Sequence, residues 1–340
     1  MCNGMLLLWI ALAVSLFMSH SESYYYLSEF WICSLAWIAA FTSCYVYLYK
    51  ISSEKTNNNR LINNHVIFLH ISLFWMLLGW LVRELIHIFD ALPWGYEVIK
   101  WSLMATIACS IILLFYFLIK RQYITSFLLV KSYWTIGLLP LIGYIVYYLI
   151  AGLSMSGQII YWSYIPIINP LEESAIFSLL MFSVWIKLMP NYVQFDNKTT
   201  NSGILNIPLP NLILVSLMTL TFLWGNSVVL RCLSQIFDIT WNAYTLWHNN
   251  IVQMTASLLW MLSAVILIAI GHRYSLRKIW YSGQLIQITV IIKLIFVDIQ
   301  ETDGLLRAFA FIGVALLMLL IGYLAPIPPK QNDENIAQNK

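Results

Sequence analysis

Charge is what this chain lacks most. Asp, Glu, Lys and Arg make up 10% of its 340 residues, against roughly 25% in an ordinary soluble domain. With 61% of the residues hydrophobic, the chain has too little polar material to clothe a globule in water, so the relevant solvent is lipid. The five cysteines, Cys2, Cys33, Cys44, Cys109 and Cys232, show no Cys-x-x-Cys and no paired spacing. Neither a disulfide framework nor a zinc site is implied. Cys33 and Cys44 would sit about 16 Å apart on one helix, too far to bridge. Cys2 has no lipobox before it, which argues against a lipoprotein anchor. Glycine is scarce and Gly-x-x-x-Gly is absent, so close helix dimerisation is not signalled. No His-x-x-His, phosphate loop, nucleotide fingerprint or serine elbow occurs. No metal and no cofactor is expected. The small net positive charge comes from loop lysines and gives no reason to expect nucleic acid as a partner.

What is present is a series of apolar runs. Those near 30–49, 65–85, 101–119, 133–151, 209–230, 251–271, 279–297 and 305–324 approach the roughly 20 residues that cross a bilayer as a helix. A shorter run, 174–189, is extended by Leu171, and Met5–Met18 is the weakest. Barrel strands would be shorter and alternating. The expectation is an all-α, polytopic transmembrane helix bundle of about ten helices. Met1–Met18 also admits reading as a signal peptide, although it lacks a basic start. Trp and Tyr gather near span ends, as in Tyr24-Tyr25-Tyr26 and Trp280-Tyr281, which reads as an interfacial belt.

The basic residues orient the bundle. With the N-terminus inside and ten spans, thirteen of the 18 Lys and Arg fall in inside segments, from Lys50 through Lys131 to Arg277 and Lys340. Arg83, Lys100, Arg231 and Arg307 fall outside, and Lys293 lies within a helix. Acids run the other way: only Glu54, Asp196, Asp333 and Glu334 are inside. This is the positive-inside pattern of a cell (inner) membrane protein with both termini cytoplasmic.

Two octets recur at an offset of 148 residues. Arg83-Glu84-Leu85-Ile86-His87-Ile88-Phe89-Asp90 reads against Arg231-Cys232-Leu233-Ser234-Gln235-Ile236-Phe237-Asp238, with Arg, Leu, Ile, Phe and Asp coinciding. Each ends an apolar run. The expected unit is a parallel repeat of four helices, 3–6 and 7–10. The organisation is then one transmembrane domain, 1–325. It holds the first two helices (1–62), repeat one (63–189) and repeat two (207–325), and a disordered tail, 326–340, follows. Only Pro140, in helix five, visibly interrupts a span. Asn169-Pro170-Leu171-Glu172 reads as a helix start: Asn169 caps, Pro170 takes the first position and Glu172 the third.

From about Tyr164 to Pro326 the chain resembles a family of predicted bacterial multi-pass membrane proteins, domain of unknown function 2339. The resemblance is carried by Ile168-Asn169-Pro170-Leu171-Glu172, by Phe222-Leu223-Trp224-Gly225-Asn226 leading to Leu230-Arg231, and by Gln253 to Trp260. Val290 to Asp298, Asp303 to Phe309 and Ile321-Gly322-Tyr323-Leu324 complete it. Members usually look longer, and this chain looks like their C-terminal part. The resemblance implies a fold type and no mechanism.

At helical spacing, Arg83, His87 and Asp90 share one face, and Arg231, Gln235 and Asp238 share another. With Glu172, Lys293, Asp298 and Arg307 they form a candidate polar cluster toward the outer side. Lys293 is the costliest residue, a cation about five positions inside its helix end. It is a snorkelling anchor, a structural pair with an acid on a neighbouring helix, or a buried cation that holds an anionic group, and Asp298, Asp238 and Glu172 are the carboxylates it is expected to meet. Arg307 opposes its helix dipole and calls for a nearby acid. Gln284 and Gln287 are expected to bond to a neighbouring helix. No catalytic residue can be named, and an enzyme is the less favoured class. The classes that fit are a non-catalytic envelope or scaffold protein, a transporter or its accessory subunit, and, as the alternative, a membrane transferase acting on lipid or envelope glycan. The expected partners are membrane lipids and other membrane proteins.

Overall fold

The computed structural model describes residues 27–54, 60–93, 95–123, 127–159, 164–192, 209–298 and 304–324. Its helices are α1 (Leu27–Glu54), α2 (Arg60–Asp90), α3 (Glu97–Lys120), α4 (Phe127–Ser132), α5 (Leu139–Gly152) and α6 (Pro170–Tyr192). They continue with α7 (Leu209–Ile236), α8 (Ala243–His248), α9 (Asn250–Arg273), α10 (Arg277–Lys293) and α11 (Gly304–Leu324). Wide π-turns, Tyr133–Gly137 and Leu294–Asp298, follow α4 and α10. The all-α class holds.

Among the described residues, six segments are long and apolar enough to cross a membrane: His65–Asp90, Glu97–Lys120, Leu129–Gly152, Ile213–Ile236, Asn250–Arg273 and Ile279–Phe296. α1 and α11 carry shorter apolar stretches, Leu35–Leu48 and Phe311–Tyr323. The short run expected to form a further span begins α6 with two acids, Glu172 and Glu173, and also carries Lys187. The run Met5–Met18 and the tail 326–340 lie outside the described residues. Large apolar side chains such as Leu114, Ile150, Leu180, Leu285 and Leu319 are exposed, which suits helices whose outer faces meet hydrocarbon.

The chain divides into two compact units. The first comprises Met1–Gly152, Gln158–Ser163 and Ile168–Thr221. Within it α3 packs against α5 and α6, and α5 packs against α6. The face of α3 that does so runs Val98, Ser102, Ala105, Ala108, Cys109, Ile112. Its small residues let neighbouring helices approach where lipid gives no hydrophobic drive. α1 and α2 close over Phe41, Leu48, Leu69, Leu73 and Met76.

Pro140 has the effect its chemistry requires. It supplies no N–H to the turn before it, and the backbone there widens, with Leu138 N–H donating to Tyr133 O at 2.9 Å. Indoles then serve the carbonyls of the widened turn. Trp185 Nε1 donates to Trp134 O at 2.9 Å, and Trp75 Nε1 donates to Gly137 O at 3.1 Å. Trp134 returns the bond, its Nε1 donating to Trp185 O at 3.4 Å.

The second unit comprises Leu153–Gly157, Tyr164–Ile167 and Phe222–Lys340. Here α9 packs against α10 and α11 over Met261, Ile268, Val290, Leu294, Val314 and Ile321. Asn249 caps α9, its Oδ1 accepting from the N–H groups of Ile251 and Val252. Close packing of two helices within the chain needs no Gly-x-x-x-Gly here. A Cβ on Gly271 would stand 2.6 Å from Trp280 N, and one on Gly283 would stand 2.6 Å from Ile268 Cγ1. Two isolated glycines, one on each helix, allow α9 and α10 to meet.

Candidate functional site

Arg83, His87, Asp90 and Glu172 belong to the first unit, and Arg231, Gln235, Asp238 and Lys293 to the second. The side chains of Asp298 and Arg307 lie outside the described residues.

Arg231 sits five residues before the end of α7 and is fully buried. Its Nε donates to Met155 O at 3.0 Å. Its guanidinium lies 4.9 Å from the Trp224 ring centroid and 5.4 Å from that of Trp241. Trp224 is seven residues earlier on the same helix face, and Trp241 arrives from beyond the helix end. Trp241 Nε1 donates to Ser154 O at 3.0 Å, so the cation and its indole both hold the turn Ser154–Gly157. Gly157 has φ +74, and a Cβ there would come within 2.9 Å of the Tyr164 ring. Only glycine suits that turn. A cation over two indoles away from water gains about 2 kcal/mol or more. Sequence reasoning marked Arg231 and named Trp224 among the residues that carry the family resemblance, but did not pair the two, and it missed Trp241. The seven-residue spacing was a usable signal for Trp224, while nothing local marks Trp241.

The expected stripe Arg231/Gln235/Asp238 is not a helical face to its end. α7 stops at Ile236, and Asp238 is exposed with φ +50. Ile239 N–H donates to Ser234 O at 2.8 Å. That six-to-one closure with a left-handed residue before it is a Schellman stop, and a short polar Asp tolerates the conformation. In the other octet α2 runs on through Asp90. The two octets therefore end differently: the first finishes helical, the second turns away.

On α2, Arg83 meets Glu84, Nη1 to Oε1 at 3.6 Å. Glu84 is buried, His87 half-buried and Asp90 exposed. Arg83 thus pairs with its sequence neighbour.

Lys293 is the last residue of α10 and reaches α9. Its Nζ donates to Ser257 Oγ at 2.6 Å and to Gln253 O at 3.1 Å. Gln253 Nε2 in turn donates to Trp247 O at 2.8 Å. Gln287 departs from expectation. Its Oε1 is buried with no hydrogen-bond partner, because its face of α10 is pressed where Gly283 meets Ala264 and Ile268.

Glu172 is buried in the first turn of α6. The expected start is present: Asn169 Oδ1 accepts from Leu171 N–H at 2.9 Å, and Pro170 opens the helix. Just below, Tyr148 of α5 brings its hydroxyl 2.5 Å from Ser174 Oγ, 3.1 Å from Leu171 O and 3.4 Å from Ser102 Oγ of α3. Three helices meet on one buried phenol. Among the described residues no group of three or more His, Cys, Asp and Glu gathers as a metal centre would require.

A family described as "Predicted membrane protein (DUF2339)" matches residues 2–328. The match reaches well beyond the segment Tyr164–Pro326 that carried the resemblance in the sequence. No curated protein and no solved structure matches the chain.

Proposed function

This chain belongs to the DUF2339 family of predicted membrane proteins, and from that premise we infer a non-catalytic, multi-pass scaffold of the inner membrane. Arg231 is the observation that carries the reading. The most deeply buried cation described is occupied in tying a turn to a helix end through a carbonyl and two indoles. That is the work of a framework. Cytoplasmic termini are supported by the distribution of Lys and Arg. The parallel four-helix repeat is supported by the octets and by a shared packing order: α3 meets α5 and α6 as α9 meets α10 and α11. The partners are then membrane lipids and other membrane proteins.

A second reading, a transporter or its accessory subunit, is favoured by the widened turn before Pro140. Interrupted helices and π-turns recur where membrane proteins move or bind solutes.

The test compares lipids, envelope glycans and metabolites in cells with and without the gene, then complements the deletion with Arg231→Met. In a scaffold this substitution lowers the protein's stability and abundance, because methionine keeps neither the bond to Met155 O nor the two indole contacts. One accumulated solute, lipid or glycan, together with an abundant but inactive Arg231→Met protein, would replace the scaffold with a transporter or transferase.

A further inference from the structure

α7 and α9 both hold stretches long and apolar enough to span, so the residues between them, 237–249, leave and re-enter the bilayer at one face. A connector that rises into water has no use for large apolar side chains without charge. This one has both traits. From Ile239 to His272 there is no Lys, Arg, Asp or Glu. Ile236 and Phe237 are exposed where α7 stops, and on α8 Tyr244 is 74% exposed and Trp247 51% exposed. Tyr244 lies three residues from Trp247 and four from His248, so the three share one helix face. The rings of Tyr244 and His248 meet, centroids 4.2 Å apart.

The backbone of α8 is served from within the protein. A helix leaves open N–H groups at its start and open carbonyls at its end. At the start, Asn242 Oδ1 accepts from Thr245 N–H at 2.7 Å. At the end, Gln253 Nε2 of α9 donates to Trp247 O at 2.8 Å and to Leu246 O at 3.4 Å. His248 Nδ1–H donates to Tyr244 O at 2.9 Å. Water would serve such groups on an exposed loop, whereas a layer poor in water requires partners from the chain. The height of α8 is fixed as well. Before it, Trp241 Nε1 donates to Ser154 O at 3.0 Å. After it, Gln253 is buried in the first turn of α9. α8 is thereby held at the level where two spans end, with its aromatic face bare. Rings with one polar edge favour that level, because the ring meets hydrocarbon while the O–H or N–H meets headgroups and water.

We propose that α8 lies in the plane of the membrane as an interfacial anchor. Tyr244, Trp247 and His248 then sit among the glycerol and upper acyl groups of the leaflet in which α7 and α9 end. The partner is the lipid surface itself, engaged by burial of rings and not by charge. The proposal goes beyond the scaffold reading and stands or falls separately from it.

The experiment places a small fluorescent amino acid at Trp247 and, in a second variant, at Tyr244 of the full chain. Both positions are exposed, and the protein is held in vesicles of phosphatidylethanolamine and phosphatidylglycerol. Lipids brominated near the carbonyl end of the acyl chain should quench both variants more than lipids brominated near its methyl end. The depth read from that ratio should be about 5–10 Å below the headgroups. Iodide in the buffer should lose most of the quenching it exerts on the free amino acid. Replacing phosphatidylglycerol by phosphatidylcholine should leave the depth unchanged, since no charged side chain of α8 holds it. Full quenching by iodide with none by bromolipid would put α8 in water and overturn the proposal. Quenching by neither would mean that protein covers the face, and strongest quenching from the methyl end would make the segment re-entrant; either result overturns it, as does a depth that is lost without phosphatidylglycerol. Should neither variant accumulate, hydroxyl-radical footprinting of the unaltered chain in nanodiscs of the same lipids decides. Protection of Tyr244 and Trp247 relative to the unfolded chain is expected there, and oxidation as complete as in the unfolded chain refutes the anchor.

Discussion

Removing a single oxygen from Tyr148 tests how α3, α5 and α6 hold together. The side chain is fully buried, so Tyr148→Phe deletes a hydroxyl and leaves the ring packed. The hydroxyl has three neighbours, Ser174 Oγ, Leu171 O and Ser102 Oγ. None is left orphaned. Ser174 donates to Pro170 O at 2.6 Å and Ser102 donates to Val98 O at 2.7 Å. Leu171 O lies in the first turn of α6 and keeps its helical bond. The cost should therefore follow interhelical hydrogen bonds in membranes, about 0.6 kcal/mol on average and at most about 1.7, well below the full penalty of a stranded buried group. Tyr148→Ala also removes the ring and should cost about 3–5 kcal/mol. The assay is equilibrium unfolding in mixed micelles, with Ser174→Ala and the double variant completing a cycle. Exposed Tyr147 is the control, and Tyr147→Phe should stay within about 0.5 kcal/mol. Tyr148→Phe and Tyr147→Phe of equal stability, or a coupling to Ser174 of zero, would refute a three-helix clasp centred on this phenol.

Gly283→Ala and Gly271→Ala should each destabilise by about 1–3 kcal/mol, since the new methyl meets backbone or a branched side chain at 2.6 Å; Gly322→Ala, with nothing within 4 Å, should be neutral or better in the same unfolding assay. Lys293→Met should leave stability within about 1 kcal/mol, because losing the bonds to Ser257 and Gln253 is offset by removing a costly ion from the membrane; a loss of several kcal/mol in micelle unfolding would show that the ammonium is a strong tie. Pro140→Ala restores a backbone N–H and should slow amide exchange across Tyr133–Gly137; faster exchange would mean that the wide turn has another cause. Cysteine at Thr240 should be labelled from outside intact cells and cysteine at Ser275 should not, and the reverse would invert the bundle.

Much of the fold could be read along the chain because lipid leaves few choices. A backbone without water must bond within itself, so the runs 65–85, 101–119 and 251–271 had to be helices, and α2, α3 and α9 are. Asn169 before Pro170 marked a start for the same local reason: a side-chain oxygen two residues from an open N–H. Pro140 marked an interruption because a proline ring has no hydrogen to give. Arg83 and Arg231 stood out as equal in the octets, yet tertiary structure made them unequal. The partners of Arg231, Met155 O and Trp241, come from outside its helix, and no periodicity on α7 encodes them. Asp238 shares its type with Asp90 and not its backbone, because Ile239 folds back to close the helix end. The approach of α9 to α10 rests on two glycines twelve residues apart, each meaningful only once the other helix lies against it. Periodicity and capping depend on neighbours three or four residues away, and the chain spells those out. The cage around Arg231 depends on which segments meet and at what height, and only packing decides that.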